Sequence, residues 1–211
     1  MLRLLGPLLG SAAVAAILSV APTTALAREP SPGPEAVANM SPTIIAKLQL
    51  GLGGTASAGG VEDDMLPAFG GALWYDHPLH TYFALGGLVS YARWITDGSN
   101  TVGHEGNNLI DISLVPRVRY PLEDRVELYL ALPVGLAIDA ASGDPYGTDD
   151  DTGLGFNFSA LFGGQLAVTE GFGIVGEMGY GIHSVSHSFA GTDVDVDLQQ
   201  FQVTAGIFGR L

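Results

Sequence analysis

The stretch of sequence that decides the fold, residues 109–139, reads LIDISLVPRVRYPLEDRVELYLALPVGLAID. Apolar and polar residues alternate with a period of two on both sides of Pro121-Leu122-Glu123-Asp124. Because successive side chains of a strand point to opposite faces, this period predicts β-strands. The four residues between the strands have the composition of a turn. The stretch is therefore predicted to form a β-hairpin.

The two faces of this hairpin differ in chemistry. In the second strand one row is aliphatic throughout: Val126, Leu128, Leu130, Leu132, Val134, Leu136 and Ile138. The row behind it mixes small residues with isolated charges: Arg125, Glu127, Tyr129, Ala131, Gly135 and Asp139. Strands of soluble sandwiches are shorter, at about 5–6 residues. A long aliphatic face over a row of small and charged residues is typical of a small barrel in lipid, with the charges paired inside.

The same alternation recurs along the rest of the chain. Six further strands are predicted at 43–56, 65–76, 81–95, 153–168, 172–184 and 197–211. Each is long enough to cross a bilayer as a tilted strand of about 9–11 residues. Short turns, of which Asp76–His80 is one, follow strands two, four and six, and longer connections follow the others. The sequence therefore predicts an all-β fold, an eight-stranded antiparallel up-and-down transmembrane β-barrel.

The segments before the first strand have other compositions. Residues 1–27 are predicted to be a signal peptide, because Arg3 precedes an apolar run that ends at Ala25-Leu26-Ala27. Residues 28–42 hold four prolines and are predicted to be a Pro-rich N-terminal tether. Residues 43–211 are then the barrel. An export signal followed only by strands predicts an integral protein of a bacterial outer membrane with periplasmic N and C termini.

Charge and cysteine content exclude several classes of function. The formal net charge of −14 excludes nucleic-acid binding, which requires basic patches. The chain has no Cys, which excludes a disulfide framework. The sequence contains no cofactor fingerprint, so no cofactor is predicted.

The last strand carries a family resemblance. Thr204-Ala205-Gly206-Ile207-Phe208-Gly209-Arg210-Leu211 alternates apolar residues up to its end. With the hairpin pattern, this makes the chain resemble the small eight-stranded bacterial outer-membrane β-barrel family, OmpA/OmpX-like and Ail-like, whose members usually end on Phe. The resemblance implies a monomer that contacts outer-membrane lipids and lipopolysaccharide and is inserted by the barrel assembly machinery. Because this barrel carries adhesins, structural proteins and lipid-modifying enzymes, it implies fold more than function.

The inward charges are the first candidate site. Buried charges are costly unless they are paired, which predicts an interior network of Lys47, Arg117, Arg119, Glu127 and Glu177. A turn centred on Glu123 would place Arg119 opposite Glu127, and Arg117 opposite Tyr129. The alternative is a narrow conduction path, because many inner positions are small: Gly70, Ala72, Gly86, Ala131, Gly135 and Gly163.

The predicted long connections are acidic, and their simplest role is solvation. They include residues 57–64, with Glu62, Asp63 and Asp64, and residues 185–196. Two groups are weak calcium candidates, since hard cations take clustered carboxylate oxygens: Asp149, Asp150 and Asp151, and Asp193, Asp195 and Asp197. Neither has the complete spacing of a calcium loop, so at most low-affinity binding is predicted.

Histidines and aromatic residues complete the candidates. An enzyme acting on lipid A would need His and Ser on one face, whereas His183 and His187 alternate with Ser184, Ser186 and Ser188. Some of Trp74, Tyr75, Tyr82, Tyr91, Trp94, Tyr120 and Tyr180 are predicted to form interfacial girdles. The sequence thus favours a non-enzymatic barrel that supports envelope integrity and presents acidic loops. The alternatives are a narrow pore and a lipid A-modifying barrel enzyme.

Overall fold

Ten β-strands make up the regular structure of the protein in a computed structural model, which describes residues 40–97, 106–141, 152–189 and 192–211. The predicted signal peptide, all but the last three residues of the predicted tether, and Asp149–Asp151 lie outside these ranges. The strands are β1 (Thr43–Ala58), β2 (Val61–Asp64), β3 (Ala68–His80), β4 (Phe83–Trp94), β5 (Asn107–Glu123), β6 (Val126–Ala131), β7 (Val134–Ala141), β8 (Thr152–Ala167), β9 (Phe172–Phe189) and β10 (Thr192–Arg210). In the described ranges no helix is long and apolar enough to cross a membrane.

The strands close into a ring with eight wall positions. The order is β1, β3, β4, β5, β6 with β7, β8, β9 and β10, and β10 pairs back to β1. Every pairing is antiparallel, and β2 pairs only with the end of β1. Each wall strand therefore lies beside its neighbours in the chain. This confirms the predicted all-β, eight-stranded antiparallel up-and-down barrel.

The barrel has two different ends. The turn end carries Thr43, Arg210 and three short turns, at residues 81–82, 124–125 and 168–171. The loop end carries the β1–β2 and β9–β10 hairpins, and there β4 ends at Trp94, β5 begins at Asn107, β7 ends at Ala141 and β8 begins at Thr152. The predicted asymmetry of short turns at one end and longer connections at the other is therefore present, although two of the connections are hairpins.

The predicted two-faced alternation is confirmed. Outward apolar side chains of the central hairpin are 44–56% exposed: Ile112, Leu114, Val118, Leu130 and Leu136. Inward side chains of the same strands are 0–6% exposed: Ser113, Arg117, Arg119, Tyr129 and Asp139. Large apolar residues thus cover the outside, and polar and charged ones fill the inside. A contiguous apolar exterior of this kind requires an apolar environment around the barrel.

Proline interrupts the wall between β6 and β7 without changing its register. The Leu132 N–H donates to the Pro116 carbonyl at 3.0 Å, and the Ser159 N–H donates to the Pro133 carbonyl at 2.9 Å. Neither proline has an N–H with which to return the bond. The wall therefore loses one ladder hydrogen bond on each side of Leu132–Pro133, while β6 and β7 remain two halves of one wall strand.

The predicted register of the central hairpin is wrong by two residues. Arg119 pairs with Tyr129 and Arg117 pairs with Ala131, not with Glu127 and Tyr129 respectively. The turn lies at residues 124–125, and an irregularity between Pro121 and Glu123 shifts the ladder. The turn is therefore tighter, and lies closer to β6, than the composition of residues 121–124 indicates.

The predicted turn at Asp76–His80 is also wrong, because β3 continues through it and the chain reverses at residues 81–82. Asp76 and Pro78 both point inward and are buried. Asp76 forms an ion pair inside the barrel with Arg117 of β5, the strand on the other side of β4. This contact requires Asp76 to stay on the inner row, so the extended conformation prevails over the turn composition.

Two predicted long connections are largely strand instead. Residues 57–64 form the end of β1 and β2 around Gly59–Gly60, whose φ angles of 57° and 84° suit a tight hairpin turn. Residues 185–189 and 192–196 belong to β9 and β10. Their period of two continues, but the outward row changes from apolar side chains to Ser and Asp. A polar outward row resembles a loop in sequence, which explains the error.

A bulge changes the inward row of β1. The ladder with β10 shifts between Gly51 and Gly54, and Gly53 has a φ of 68°, in the left-handed region that favours glycine. Beyond the bulge Ala56 is buried inside, while Thr55, which was predicted to face inward, pairs with the exposed Gln199 on the outer row.

Candidate functional site

The interior is filled at the turn end by a layer of paired charges and aromatic rings, called here the turn-end layer. Lys47 of β1 donates from Nζ to Glu177 Oε2 of β9 at 2.6 Å. Tyr129 of β6 donates to Glu177 Oε1 at 2.7 Å, and Thr204 of β10 donates to Glu177 Oε2 at 2.7 Å. Both oxygens of this buried carboxylate are therefore satisfied, by groups from three other strands.

A second group of charges lies beside the first. Arg117 Nη2 lies 2.8 Å from Asp76 Oδ2 and 3.1 Å from Glu127 Oε1. Arg119 donates to Glu127 Oε2 from Nε at 2.9 Å and from Nη2 at 2.6 Å. The ion pairs of the turn-end layer thus join three cations, Lys47, Arg117 and Arg119, to three carboxylates, Asp76, Glu127 and Glu177.

Trp74 and Tyr129 fill the space between these charges. Their rings meet edge to face, with centroids 6.0 Å apart. Lys47 Nζ lies 4.7 Å from the centroid of Trp74, and the Arg117 guanidinium lies 4.7 Å from that of Tyr129. Cations over ring faces at these distances are attracted by the ring quadrupole. The layer therefore reaches across the lumen from β1 and β3 to β5, β6 and β9.

Two inner glycines make room for these rings. A Cβ at Gly163 would lie 2.6 Å from Tyr129 Cζ, and one at Gly86 would collide with Trp74 Nε1. Small inner residues, which suggested an open lumen, here allow large side chains from neighbouring strands to lie across it.

All five residues predicted for the interior network point inward, and all five lie in the turn-end layer. The prediction omitted Asp76, Tyr129 and Thr204. Asp76 and Tyr129 stand on the inner rows of the sequence pattern, so their parity was a usable signal. Trp74 also lies inside, at 1% exposure, and so belongs to no girdle.

A second closure, the loop-end layer, centres on Asp139. Trp94 Nε1 donates to Asp139 Oδ1 at 3.1 Å, and Asn107 Nδ2 donates to Oδ2 at 2.8 Å. His187 Nε2 lies 3.2 Å from the same Oδ2. Asp139 and His187 are almost fully buried. An apolar cluster that includes Met65, Leu109 and Leu198 packs at this level, so the loop end of the lumen is also filled.

A polar middle chamber lies between the two layers. Ser90 donates to Asp111 Oδ2 at 3.0 Å, and His183 Nε2 lies 3.2 Å from the same oxygen. Gln49 Nε2 donates to Gln202 Oε1 at 2.7 Å. Two small cavities, of about 20 and about 30 Å³, adjoin these residues. A cavity needs about 10–15 Å³ to hold a water molecule, so the chamber has room for water-sized ligands.

The outside of the barrel holds the remaining candidates. Asp193, Asp195 and Asp197 lie on the outward face of β10, each paired with a serine of β9. They form an exposed row along a strand, so the prediction that they lie in a loop is wrong. In the described part of the chain no three His, Cys, Asp or Glu residues are grouped so that they could hold a metal ion.

His183 and His187 point into the barrel, whereas Ser186 and Ser188 are exposed outside it. His183 contacts Asp111, and Ser90 reaches that carboxylate and not the imidazole. A serine nucleophile requires its hydroxyl hydrogen-bonded to the base. In the Ser90–Asp111–His183 group the serine hydroxyl therefore donates to the Asp111 carboxylate, where a nucleophile would need the imidazole of His183 as its base.

Tyrosines encircle the outside. Side chains 45–62% exposed are Tyr75, Tyr82, Tyr91, Tyr120 and Tyr180. Trp94, like Trp74, was grouped with them in the sequence and is instead buried inside. Amphipathic rings on an otherwise apolar exterior suit the boundary between lipid and water.

Comparisons with known proteins agree with this architecture. Residues 12–207 match the family model described as outer membrane protein beta-barrel domain. The fold is similar to that of Neisserial surface protein A, at 15% identity and a TM-score of 0.53, over 80% of this chain and 97% of that one. It is also similar to OprG from Pseudomonas aeruginosa, at 9% identity and a TM-score of 0.56, over 81% and 96%. Identities this low show a shared fold alone. No curated protein matches the chain in sequence.

Proposed function

Because the chain belongs to the outer membrane protein beta-barrel domain family, we propose that it is a non-enzymatic barrel whose lumen is closed by its own side chains. It lies in the outer membrane of a Gram-negative bacterium. On this proposal the protein supports the integrity of the envelope and presents acidic hairpins and loops at the cell surface.

The observation that supports a closed lumen most strongly is the turn-end layer. Lys47, Arg117 and Glu177 are at most 5% exposed, and their ion pairs join strands that are not neighbours in the ring, β1 with β9 and β3 with β5. Charges facing a continuous water column would be screened and mobile. Buried and paired charges are instead characteristic of a filled barrel. Planar-bilayer recording of the refolded protein tests this. A closed lumen gives no steady single-channel current, whereas a steady current would overturn the proposal.

A narrow pore is the second candidate, and the middle chamber is what favours it. The chamber lies in the lumen between the two layers, and polar side chains such as Gln49, Asp111 and Gln202 line both of its cavities. Conduction would require both layers to open, and each is held by several buried hydrogen bonds. A lipid A-modifying activity has less support, because His183 is engaged with Asp111 and the nearby β9 serines face outward.

We further propose that both termini face the periplasm and that the loop end faces the outside. The short turns share an end with Thr43 and Arg210, and the hairpins rich in Asp and Ser are at the opposite end. Short periplasmic turns and longer outer connections are usual in such barrels.

Single cysteines test this orientation cleanly, because the chain has none of its own. Asp195→Cys at the loop end should react with a membrane-impermeant maleimide on intact cells. Asp124→Cys at the turn end should react only after the outer membrane is permeabilised. The reverse pattern would overturn the orientation.

The proposed partners follow from the apolar exterior and from β10, the strand that closes the ring. The apolar exterior would contact outer-membrane lipids, with lipopolysaccharide around the loop end, and the protein would act as a monomer. The barrel assembly machinery would engage β10, the strand that closes the ring by pairing with β1. Replacing the outward Ile207 by Asp in this strand should reduce insertion in cells, while a normal level of inserted protein would argue against recognition there.

A further inference from the structure

The middle chamber contains a carboxylate, Asp111, whose charge is not balanced by any ion pair of the turn-end layer. Its two cavities share Gln49, Asp111, His183 and Gln202. The titratable side chains that line them are Lys47, Asp111 and His183. Lys47 already pairs with Glu177 at 2.6 Å. The charge of Asp111 is therefore balanced within the chamber only when the imidazole of His183 is protonated.

Asp111 is also short of hydrogen-bond donors. Its Oδ2 receives Ser90 and lies next to His183, but no described group donates to its Oδ1, which is buried. Asp139 in the loop-end layer differs, because both of its oxygens have partners. An ionised carboxylate taken from water is costly unless it is paired and hydrogen-bonded. Among the described residues Asp111 thus has no Lys or Arg partner, and its unpaired oxygen belongs to a side chain that lines a cavity.

The groups around Asp111 are suited to a cation. Side chains with oxygen atoms line the cavities on several sides: Gln49, Ser90, Ser159 and Gln202. Rotation of the carboxylate about its Cβ–Cγ bond, a soft torsion, would turn Oδ1 towards the cavity. Both cavities exceed the space that one water molecule needs. A single small ion therefore fits by size and by ligand chemistry.

From these observations we propose that the middle chamber is a binding site for a small monovalent cation, held by the Asp111 carboxylate and by neighbouring amide and hydroxyl oxygens. Calcium is a poorer fit, because it takes 6–8 oxygens, usually from several carboxylates. Zinc is a poorer fit, because its sites use at least three nitrogen, sulfur or carboxylate ligands from the protein. The bound ion balances the charge of the Asp111 carboxylate.

The test compares unfolding in different salts. The full mature protein is refolded in lipid vesicles at pH 8 in NaCl, KCl or choline chloride of equal ionic strength, and its urea midpoint is measured. A site predicts a higher midpoint in NaCl or KCl than in choline chloride, with a difference that saturates as the cation concentration rises. Equal midpoints in the three salts would overturn the proposal, because general screening is the same in each.

Variants test whether the difference between salts comes from Asp111. Asp111→Asn should abolish the difference between salts, and Asp139→Asn, a matched buried carboxylate with both oxygens paired, should retain it. His183→Gln leaves the Asp111 carboxylate in place and should retain the difference between salts. A difference that persists in Asp111→Asn would place the ion elsewhere and overturn the site. If Asp111→Asn does not refold, a wild-type midpoint that stays the same when NaCl or KCl replaces choline chloride overturns the proposal equally well.

Discussion

Arg119 reaches Glu127 diagonally and not straight across the hairpin. In the ladder Arg119 is opposite Tyr129, yet its Nη2 lies 2.6 Å from Glu127 Oε2. Glu127 is opposite Pro121, and its other oxygen lies 3.1 Å from Arg117 Nη2. One carboxylate therefore serves two arginines from neighbouring inner positions of β5, an arrangement that the predicted direct pairing would not give.

Glu127→Gln and Arg119→Gln should each lower the free energy of unfolding, because each leaves a poorly hydrated charge behind. Breaking a fully buried pair costs about 3–5 kcal/mol, and we expect less here because Glu127 lies near the barrel mouth. The double variant should cost less than the sum of the two single variants. Urea unfolding in lipid vesicles measures all three.

A second double-mutant cycle, with Arg117→Gln and Glu127→Gln, is the matched control, since Arg117 keeps Asp76 as a partner when Glu127 is replaced. Its coupling to Glu127 should be weaker than that of Arg119. Strictly additive losses in the Arg119 cycle would show that the diagonal contact does not form in the membrane.

Apart from the bulge in β1, the period-two pattern was sufficient to predict which residues face inward, but not how far two strands slide past each other. Parity placed Lys47, Arg117, Arg119, Glu127 and Glu177 in the interior. Register depends on turn geometry, and a shift of two residues preserves every face. The sequence therefore predicts the inner row equally well for either register, and only the irregularity at Pro121–Glu123 distinguishes them.

Leu114→Arg should cost about 2–4 kcal/mol of folding stability in lipid, because Leu114 lies midway along an outward row. Asp195→Arg is the control, since Asp195 is also outward but stands in the polar row of the β9–β10 hairpin. Its replacement should change stability by less than about 0.5 kcal/mol. Equal effects of the two substitutions in vesicle refolding titrations would contradict the division of the exterior into a lipid face and a polar hairpin.

Gly163→Ala should destabilise the barrel by about 1–3 kcal/mol, because the added methyl group would press on Tyr129 and Glu177. Gly164→Ala places the same group on the outer face, where the nearest atom, Leu128 Cδ2, lies 3.3 Å away. The second substitution should be tolerated. A neutral Gly163→Ala, measured by urea midpoint, would show that Tyr129 does not lie across the lumen.

The closure of the lumen was harder to predict than the wall. The glycines at 86 and 163 and the alanine at 131 suggested open space, because a sequence does not show which side chain from another strand fills it. Trp74 and Trp94 were grouped with outer aromatics, although both had inward parity. In the β9–β10 hairpin, Ser and Asp replace the apolar outward row, and the sequence pattern alone could not distinguish such a strand from a loop.

The central claim is that two layers close the barrel, and each layer contains one of the two tryptophans in the chain. Single-channel recording of wild-type protein beside Trp74→Ala/Trp94→Ala, with folding of both checked by heat-dependent gel migration, tests it most directly. We expect no steady current from the wild type and discrete current steps from the double variant. Steady wild-type steps of the same size as those of the variant would contradict a closed lumen.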